Sequence, residues 1–284
     1  MASSKLSGIA KLIKASQSAT PESIFLNELL RHIQNSRQDY TPTRTYKPSS
    51  VGGCIRNMYF QMIGAPTDGT PDDYNLIGIG ESGSSRHEII QTYISTMQDA
   101  GFDCEWVDVA EYINQTKPEG TTVIKKSGME TKCHNDIFNM RFLCDGVIKY
   151  KGKYYIIEIK TESTYKYSSH DDVYLEHKAQ ATCYSMALGI DEVIFLYEDR
   201  DNCSKKAYYV EVTDAMKQDI AGKIFQCDEC VKTSTPPPKT DIPKHCDYCK
   251  YKRQCREVEN VCKTAKSGKT ISVNHSKGKV KIEF

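Results

Sequence analysis

Two apolar runs, 140–149 and 154–160, flank Lys151-Gly152, and charged residues sit inside both runs. No other segment constrains the fold as strongly. The runs read as the strands of a hairpin. With a two- or four-residue loop centred on Lys151-Gly152, the numbers of paired residues sum to 303, so Tyr150 faces Lys153 and Asp145 faces Glu158. Directly opposed side chains in an antiparallel pair have Cβ atoms roughly 4.5–5.5 Å apart. Lys160 lies two residues beyond Glu158 and projects from the same face. A three-residue loop would break this convergence.

The neighbours of these charges are apolar on both faces. Leu143, Val147 and Ile156 share the Asp145 face, and Phe142, Ile148, Ile157 and Ile159 lie on the other. That pattern belongs to a central strand pair covered by helices, where a charge is costly unless paired or metal-bound. Two opposed carboxylates make a hard oxygen site suited to Mg²⁺ or Mn²⁺. A nearby lysine can orient a water or stabilise negative charge on a reacting phosphate. A buried ion pair between Lys160 and the carboxylates is the purely structural alternative.

Around the hairpin, helical spacing appears at 24–33 behind Thr20-Pro21-Glu22, at 50–63, at 84–100, at 172–188 and at 213–225. Strand-like runs occupy 102–113, 192–197 and 207–212. Helices around a small sheet indicate an α/β or α+β domain. Thr235-Pro236-Pro237-Pro238 is a stiff break before a Cys-rich stretch.

Asp145-Gly146-Val147 followed by Glu158-Ile159-Lys160 resembles the core of the PD-(D/E)XK nucleases. More narrowly, the chain is similar to the RecB-like nucleases, including the AddB nuclease module and the exonucleases of CRISPR adaptation. That subgroup has a His upstream of the core, matched by His87 in Gly83-Ser84-Ser85-Arg86-His87. It also has a Gln-x-x-x-Tyr signature after the core, matched by Gln180 and Tyr184, which are i, i+4 and share a helix face. The resemblance implies a restriction-endonuclease-like α/β fold, a small mixed sheet flanked by helices. It implies a divalent ion held by Asp145, Glu158 and the Ile159 carbonyl, with His87 completing that shell or holding a second ion. Lys160 would orient the attacking water, and Gln180 and Tyr184 would position the scissile phosphate or Lys160.

The chain has 12 cysteines in 284 residues. In a cytosolic protein such a count points to metal ligands rather than disulfides. Cys246, Cys249 and Cys255 form C-x2-C-x5-C, a set that needs a fourth ligand for Zn²⁺ or an Fe–S cluster, and Cys54 is the candidate. Cys227 and Cys230 form another C-x2-C and could instead join Cys246 and Cys249 in a zinc ribbon. The iron–sulfur RecB-like nucleases carry one Cys before the core and three after it in this spacing. The resemblance therefore implies a [4Fe–4S] cluster on Cys54, Cys246, Cys249 and Cys255, joining the N- and C-terminal parts of the domain. Cys54 and Cys246 are 192 positions apart, so such a cluster would close a loop around the whole domain in a structural role. Cys262 is a spare candidate, and Cys104, Cys133, Cys144, Cys183 and Cys203 read as core or surface thiols.

Net charge is +1, but residues 239–284 carry 12 Lys/Arg against five Asp/Glu, leaving 26 against 32 elsewhere. A basic end suits contact with phosphate. No apolar run is long enough to span a membrane and no secretory signal is visible. The expected division is a helical segment at 1–44, a nuclease domain at 45–235, a cluster-binding module at 236–262 and a basic tail at 263–284. The expected activity is that of a metal-dependent DNA exonuclease at single-stranded ends, in the cytoplasm of a bacterium or of a phage's host. Recombination, replication or CRISPR proteins are the expected partners. The alternatives are a non-catalytic DNA-binding or assembly subunit and a zinc-ribbon interaction protein.

Overall fold

The computed structural model describes residues 20–36, 43–68, 74–239, 246 and 249–266. Most of the basic tail, from residue 267 on, lies outside them. The chain divides into one unit of Met1–Thr41 with Gly69–Ser84 and another of Pro42–Asp68 with Ser85–Phe284. The first contains helix α1 (Pro21–Asn35), which starts at N-cap Thr20 with Pro21 behind it. The boundary falls within helix α4 (Tyr74–Ser95), between Ser84 and Ser85.

The second unit is a mixed α/β structure. Its main sheet has the order β1 (Cys104–Val107), β5 (Gly146–Tyr150), β6 (Lys153–Glu162), β7 (Glu192–Asp199), β8 (Lys205–Glu211). Only β6 and β7 run parallel, and the other pairs are antiparallel. After the short helix α6 (Thr164–Ser168), helix α7 (Leu175–Leu188) crosses from β6 to β7, as a parallel connection requires. It covers one face, where Val147, Ile156, Ala181, Tyr184, Val193 and Phe195 share a core. Helix α8 (Asp214–Lys232) packs beside α7. On the other face Ile90 of α4 meets Ile148, Ile157 and Ile159.

The β5–β6 turn has the two-residue form. Lys151 (φ 49°) and Gly152 (φ 80°) are both left-handed, the type I′ geometry that matches strand twist. Tyr150 accordingly pairs with Lys153 and Gly146 with Ile157. The run 140–149, however, is two strands rather than one. β4 (Met140–Cys144) leaves the main sheet and joins β2 (Thr121–Ser127) and β3 (Glu130–Asn135) in a second, antiparallel sheet. The break is at Asp145. Its side chain accepts the Ile159 backbone N–H at 2.7 Å. A Cβ on the next residue, Gly146, would sit 2.3 Å from the Trp106 ring, so only glycine fits there. The expected faces change with the break: Leu143 is exposed, and Phe142 joins the Val147 side of the core.

Other expected elements shift for local reasons. The strand expected over 102–113 stops at Val107, because the Asp108 side chain accepts from the Ala110 and Glu111 N–H groups and starts helix α5 (Val109–Thr116). The helix expected over 50–63 is α2 (Pro48–Val51) and α3 (Ile55–Met62), separated where Gly52 lies against the α7 backbone at Glu176. Helix α8 continues past residue 225 to Lys232, so Cys227 and Cys230 are helical. Helix α9 (Lys252–Lys266) follows the Cys-rich stretch. Among the described residues no helix is long and apolar enough to cross a membrane.

Candidate active site

The site forms where the chain changes sheets. Asp145 sits in the break between β4 and β5, Glu158 and Lys160 point from β6 toward α7, and Gln180 and Tyr184 face them from α7. Glu158 is 1% exposed. Its Oε1 accepts from Lys160 Nζ at 2.6 Å and from Gln180 Nε2 at 2.7 Å. The Gln180 amide also contacts the Tyr184 hydroxyl at 2.8 Å, and its Oε1 accepts from Lys160 at 3.1 Å. The Tyr184 hydroxyl donates to the Leu143 carbonyl at 3.1 Å, fixing α7 to the strand before the break. The i, i+4 pair on α7 thus holds the lysine and the carboxylate in one network.

His87 reaches Asp145 from the opposite side, with Nδ1 3.4 Å from Oδ1. The structure therefore brings His87, Asp145, Glu158, Lys160, Gln180 and Tyr184 together, with Ile159 entering through its N–H to Asp145. Burial, and then the charge of Asp145, push the Glu158 carboxyl up to about 7 against the pull of Lys160. Burial works against the His87 imidazolium, but the Asp145 contact and charge outweigh it and raise His87 above its ordinary value. Burial raises the Tyr184 hydroxyl well above the ordinary phenol.

Two further residues belong to this network. Gln91 is one helical turn beyond His87, is 1% exposed, and donates to the Asp145 carbonyl at 2.7 Å and toward Glu130 Oε1 at 3.5 Å. Glu130 begins β3, and burial together with Asp145 raises its carboxyl. The i+4 spacing from His87 could have singled out Gln91. Glu130 had no such signal, because its place depends on β3 pairing with β4.

One observation bears on a cation. Glu158 Oε2 is buried and, among the described residues, has no hydrogen-bond partner, an arrangement that favours a positive ligand. The donor set of two carboxylates and an imidazole suits Mg²⁺ or Mn²⁺. Among the described residues no group of three His, Cys, Asp or Glu side chains is drawn together as a ready-made metal cage. Lys160 serves as the countercharge.

Helix α3 begins beside two of the C-terminal cysteines, although among the described residues no three cysteines are drawn together as a metal site. Cys54 is its N-cap residue, and the Arg56 and Asn57 side chains in its first turn reach two of the C-terminal cysteines. Arg56 Nη1 lies 3.3 Å from Cys255 Sγ, and Asn57 Nδ2 lies 3.4 Å from Cys249 Sγ, which also accepts the Tyr251 N–H. The Cys249 N–H lies 3.3 Å from the Cys246 carbonyl. Cys227 is fully buried in α8, with the Tyr46 hydroxyl against its thiol. Cys104, Cys133, Cys144 and Cys183 are buried thiols and Cys203 is exposed. The side chain of Cys262 lies outside the described residues.

No family model matches this sequence, and no curated protein does. Solved structures do show likenesses. A protein named SSO0001 aligns over 81% of this chain and 96% of its own at 15% identity and a TM-score of 0.45. An alkaline exonuclease from Laribacter hongkongensis, LHK-Exo, aligns over 76% of this chain and 96% of its own at 14% identity and a TM-score of 0.40. LHK-Exo in complex with dAMP aligns over 68% and 90% at 15% identity and a TM-score of 0.39. Likenesses this distant leave the function to be argued from the residues themselves.

Proposed function

We propose that this chain is a divalent-metal-dependent deoxyribonuclease of PD-(D/E)XK type that digests DNA from single-stranded ends. The observation that carries the reading is the buried Glu158 carboxylate beside Asp145, with one oxygen held by Lys160 and Gln180 and the other without a partner among the described residues. Asp145 and Glu158, with the Ile159 carbonyl and His87, would hold Mg²⁺ or Mn²⁺. Such an ion, when bound, polarises a phosphoryl oxygen and lowers the pKa of bound water. Lys160, steadied by Gln180, would orient the attacking water and offset charge on the phosphate. Tyr184 holds Gln180 in place.

Recombination, repair and phage or CRISPR DNA processing are the settings that fit such an activity. The test is digestion of end-labelled single- and double-stranded DNA with Mn²⁺, Mg²⁺ or EDTA. Metal-dependent shortening from the ends, lost in Asp145→Ala, is expected. Cleavage that is undiminished in that variant sinks the assignment. DNA binding with no cleavage under any metal favours the non-catalytic reading, in which Lys160 is the permanent partner of Glu158.

The cysteine site belongs to the same proposal. Cys54, Cys246, Cys249 and Cys255 would hold a [4Fe–4S] cluster, with N–H···S contacts from Arg56, Asn57 and Tyr251 of the kind that steady metal-bound thiolates. Zn²⁺ in a ribbon is the second reading, but it must draw on Cys227, which is packed inside a helix. Iron and sulfide content, with a broad absorbance near about 400 nm, tests the cluster. Cys54→Ser should lose the iron and lower the melting temperature, whereas Cys230→Ser should do neither. Full iron in Cys54→Ser rules out the four-ligand set.

A further inference from the structure

The second sheet is amphipathic by strand alternation. One side is buried: Thr131, Cys133, Met140, Phe142 and Cys144 are each under 5% exposed. The other side is set by the pairing. Lys125 lies opposite Lys132, which lies opposite Leu143. One row on, Thr122 lies opposite His134, which lies opposite Arg141. Lys125, Lys132, Arg141 and Leu143 are exposed. Like charges directly opposed across a strand pair destabilise the sheet. Among the described residues no carboxylate is in ion-pair contact with Lys125, Lys132 or Arg141.

The same rows lead into the site. Thr131 pairs with Cys144, so one residue further the register sets Glu130 beside Asp145. Gln91, which contacts both residues, agrees with that placement. Same-face rows are two residues apart, so the Lys132 row lies about 7 Å and the Arg141 row about 14 Å from the carboxylates. That face therefore carries three cations with no carboxylate paired to them among the described residues, between Asp136, which is held by His134, at one end and the Glu130 and Asp145 carboxylates at the other.

We infer that this face, through Lys125, Lys132 and Arg141, is the track that leads the phosphate backbone of DNA to the Asp145–Glu158 site. The inference rests on the nuclease reading for where the track ends. A polyanion neutralises the opposed lysines, and the row spacing is of the same order as that of successive phosphates on an extended strand. The contacts are to phosphate and carry no sequence information.

The test is binding of a fluorescent single-stranded oligonucleotide in EDTA, across salt, for the full chain and for Lys125→Gln/Lys132→Gln. Each phosphate contact contributes about 0.7 to the log–log salt slope. Losing two should flatten the slope by about 1.4 and weaken binding on the order of twentyfold at about 0.1 M salt. Relief of the opposed charges should leave the melting temperature unchanged or raised, so the loss is separable from unfolding. Lys153→Gln/Lys232→Gln, which removes two exposed lysines elsewhere, should keep affinity and slope. An unchanged slope in the Lys125/Lys132 variant, or an equal loss in the control, overturns the inference. DNA binding that depends on Lys125 and Lys132 without any cleavage overturns the nuclease reading and leaves this one standing.

Discussion

Glu158 and Glu198 lie on opposite faces of the same two central strands, and both are buried, at 1% and 0% exposure. Their surroundings differ first in the number of cations. Arg86 grips Glu198 with two bonds, Nε to Oε1 at 2.7 Å and Nη2 to Oε2 at 2.9 Å, and Lys205 adds a third at 2.8 Å. Burial alone would raise this carboxyl, but the two cations hold it below the usual carboxylate range. Glu158 has a single cation, a carboxylate neighbour and a free oxygen, and it is pushed up to about 7. A compensated charge stays ionised and serves the fold. An under-compensated one favours a further positive ligand.

The largest expected effect is on chemistry at Glu158. Glu158→Gln keeps the shape and removes the charge, so cleavage should fall at least about 10³-fold, as for loss of a key electrostatic group. Its melting temperature in EDTA should not fall, because the variant removes a buried charge with an unpartnered oxygen. Unchanged cleavage, or a large loss of stability, would erase the contrast with Glu198. On the other face the main effect is on stability. Arg86→Ala leaves Glu198 buried with one cation and should cost about 3 kcal/mol. Adding Glu198→Gln should recover most of that in a denaturant melt. An unshifted melt in Arg86→Ala would show that Lys205 alone suffices.

Lys160→Ala asks how far the single cation on the Glu158 side serves catalysis. Cleavage should fall about 10²-fold, while metal binding, measured by calorimetry, holds or tightens because the competing countercharge is gone. Weaker metal binding in this variant would mean that Lys160 supports the carboxylates rather than the reaction.

The hairpin was legible in the sequence because Lys151-Gly152 fixes its register and alternation fixes its faces. That placed Val147 and Ile156 on one side and Ile148, Ile157 and Ile159 on the other. The same alternation misread Leu143 and Phe142, because it assumed one sheet while Asp145 sends the chain into two. The second sheet leaves no such pattern in the sequence. Its buried face contains Thr131, Cys133 and Asn135, whose polar character hides a core strand. Arg86 carries no local signal because its partner is 112 positions away. Contacts made within one hairpin or one helix turn are written locally, whereas those joining distant elements depend on a topology that residue spacing does not reveal.

The smallest expected effect concerns His177, which stands on the Glu158 side one turn before Gln180. Its Nδ1 meets the Tyr197 hydroxyl at 2.8 Å, and Tyr197 is fully buried. Burial first, and then the charges of Lys160, Lys166 and His170, lower its pKa from 6.5 to about 3. The folded protein thus keeps His177 neutral, while the unfolded chain takes up a proton below about pH 6.5. Because the folded pKa is depressed, its contribution to stability is present above the unfolded value and is lost as the pH falls. Between about pH 7.5 and pH 5 the loss should be about 2 kcal/mol. His177→Asn keeps an acceptor for Tyr197 and cannot titrate, so it should lose about that much less over the same interval. Glu158 titrates in this range too, but with the opposite sign and in both proteins, so the difference between the two denaturation series isolates His177. Equal acid sensitivity would mean that solvent reaches His177 in the folded state. The charge of Lys160 would then be screened from His177, and the contrast between the two faces of the sheet would be weaker than the burial of Glu158 implies.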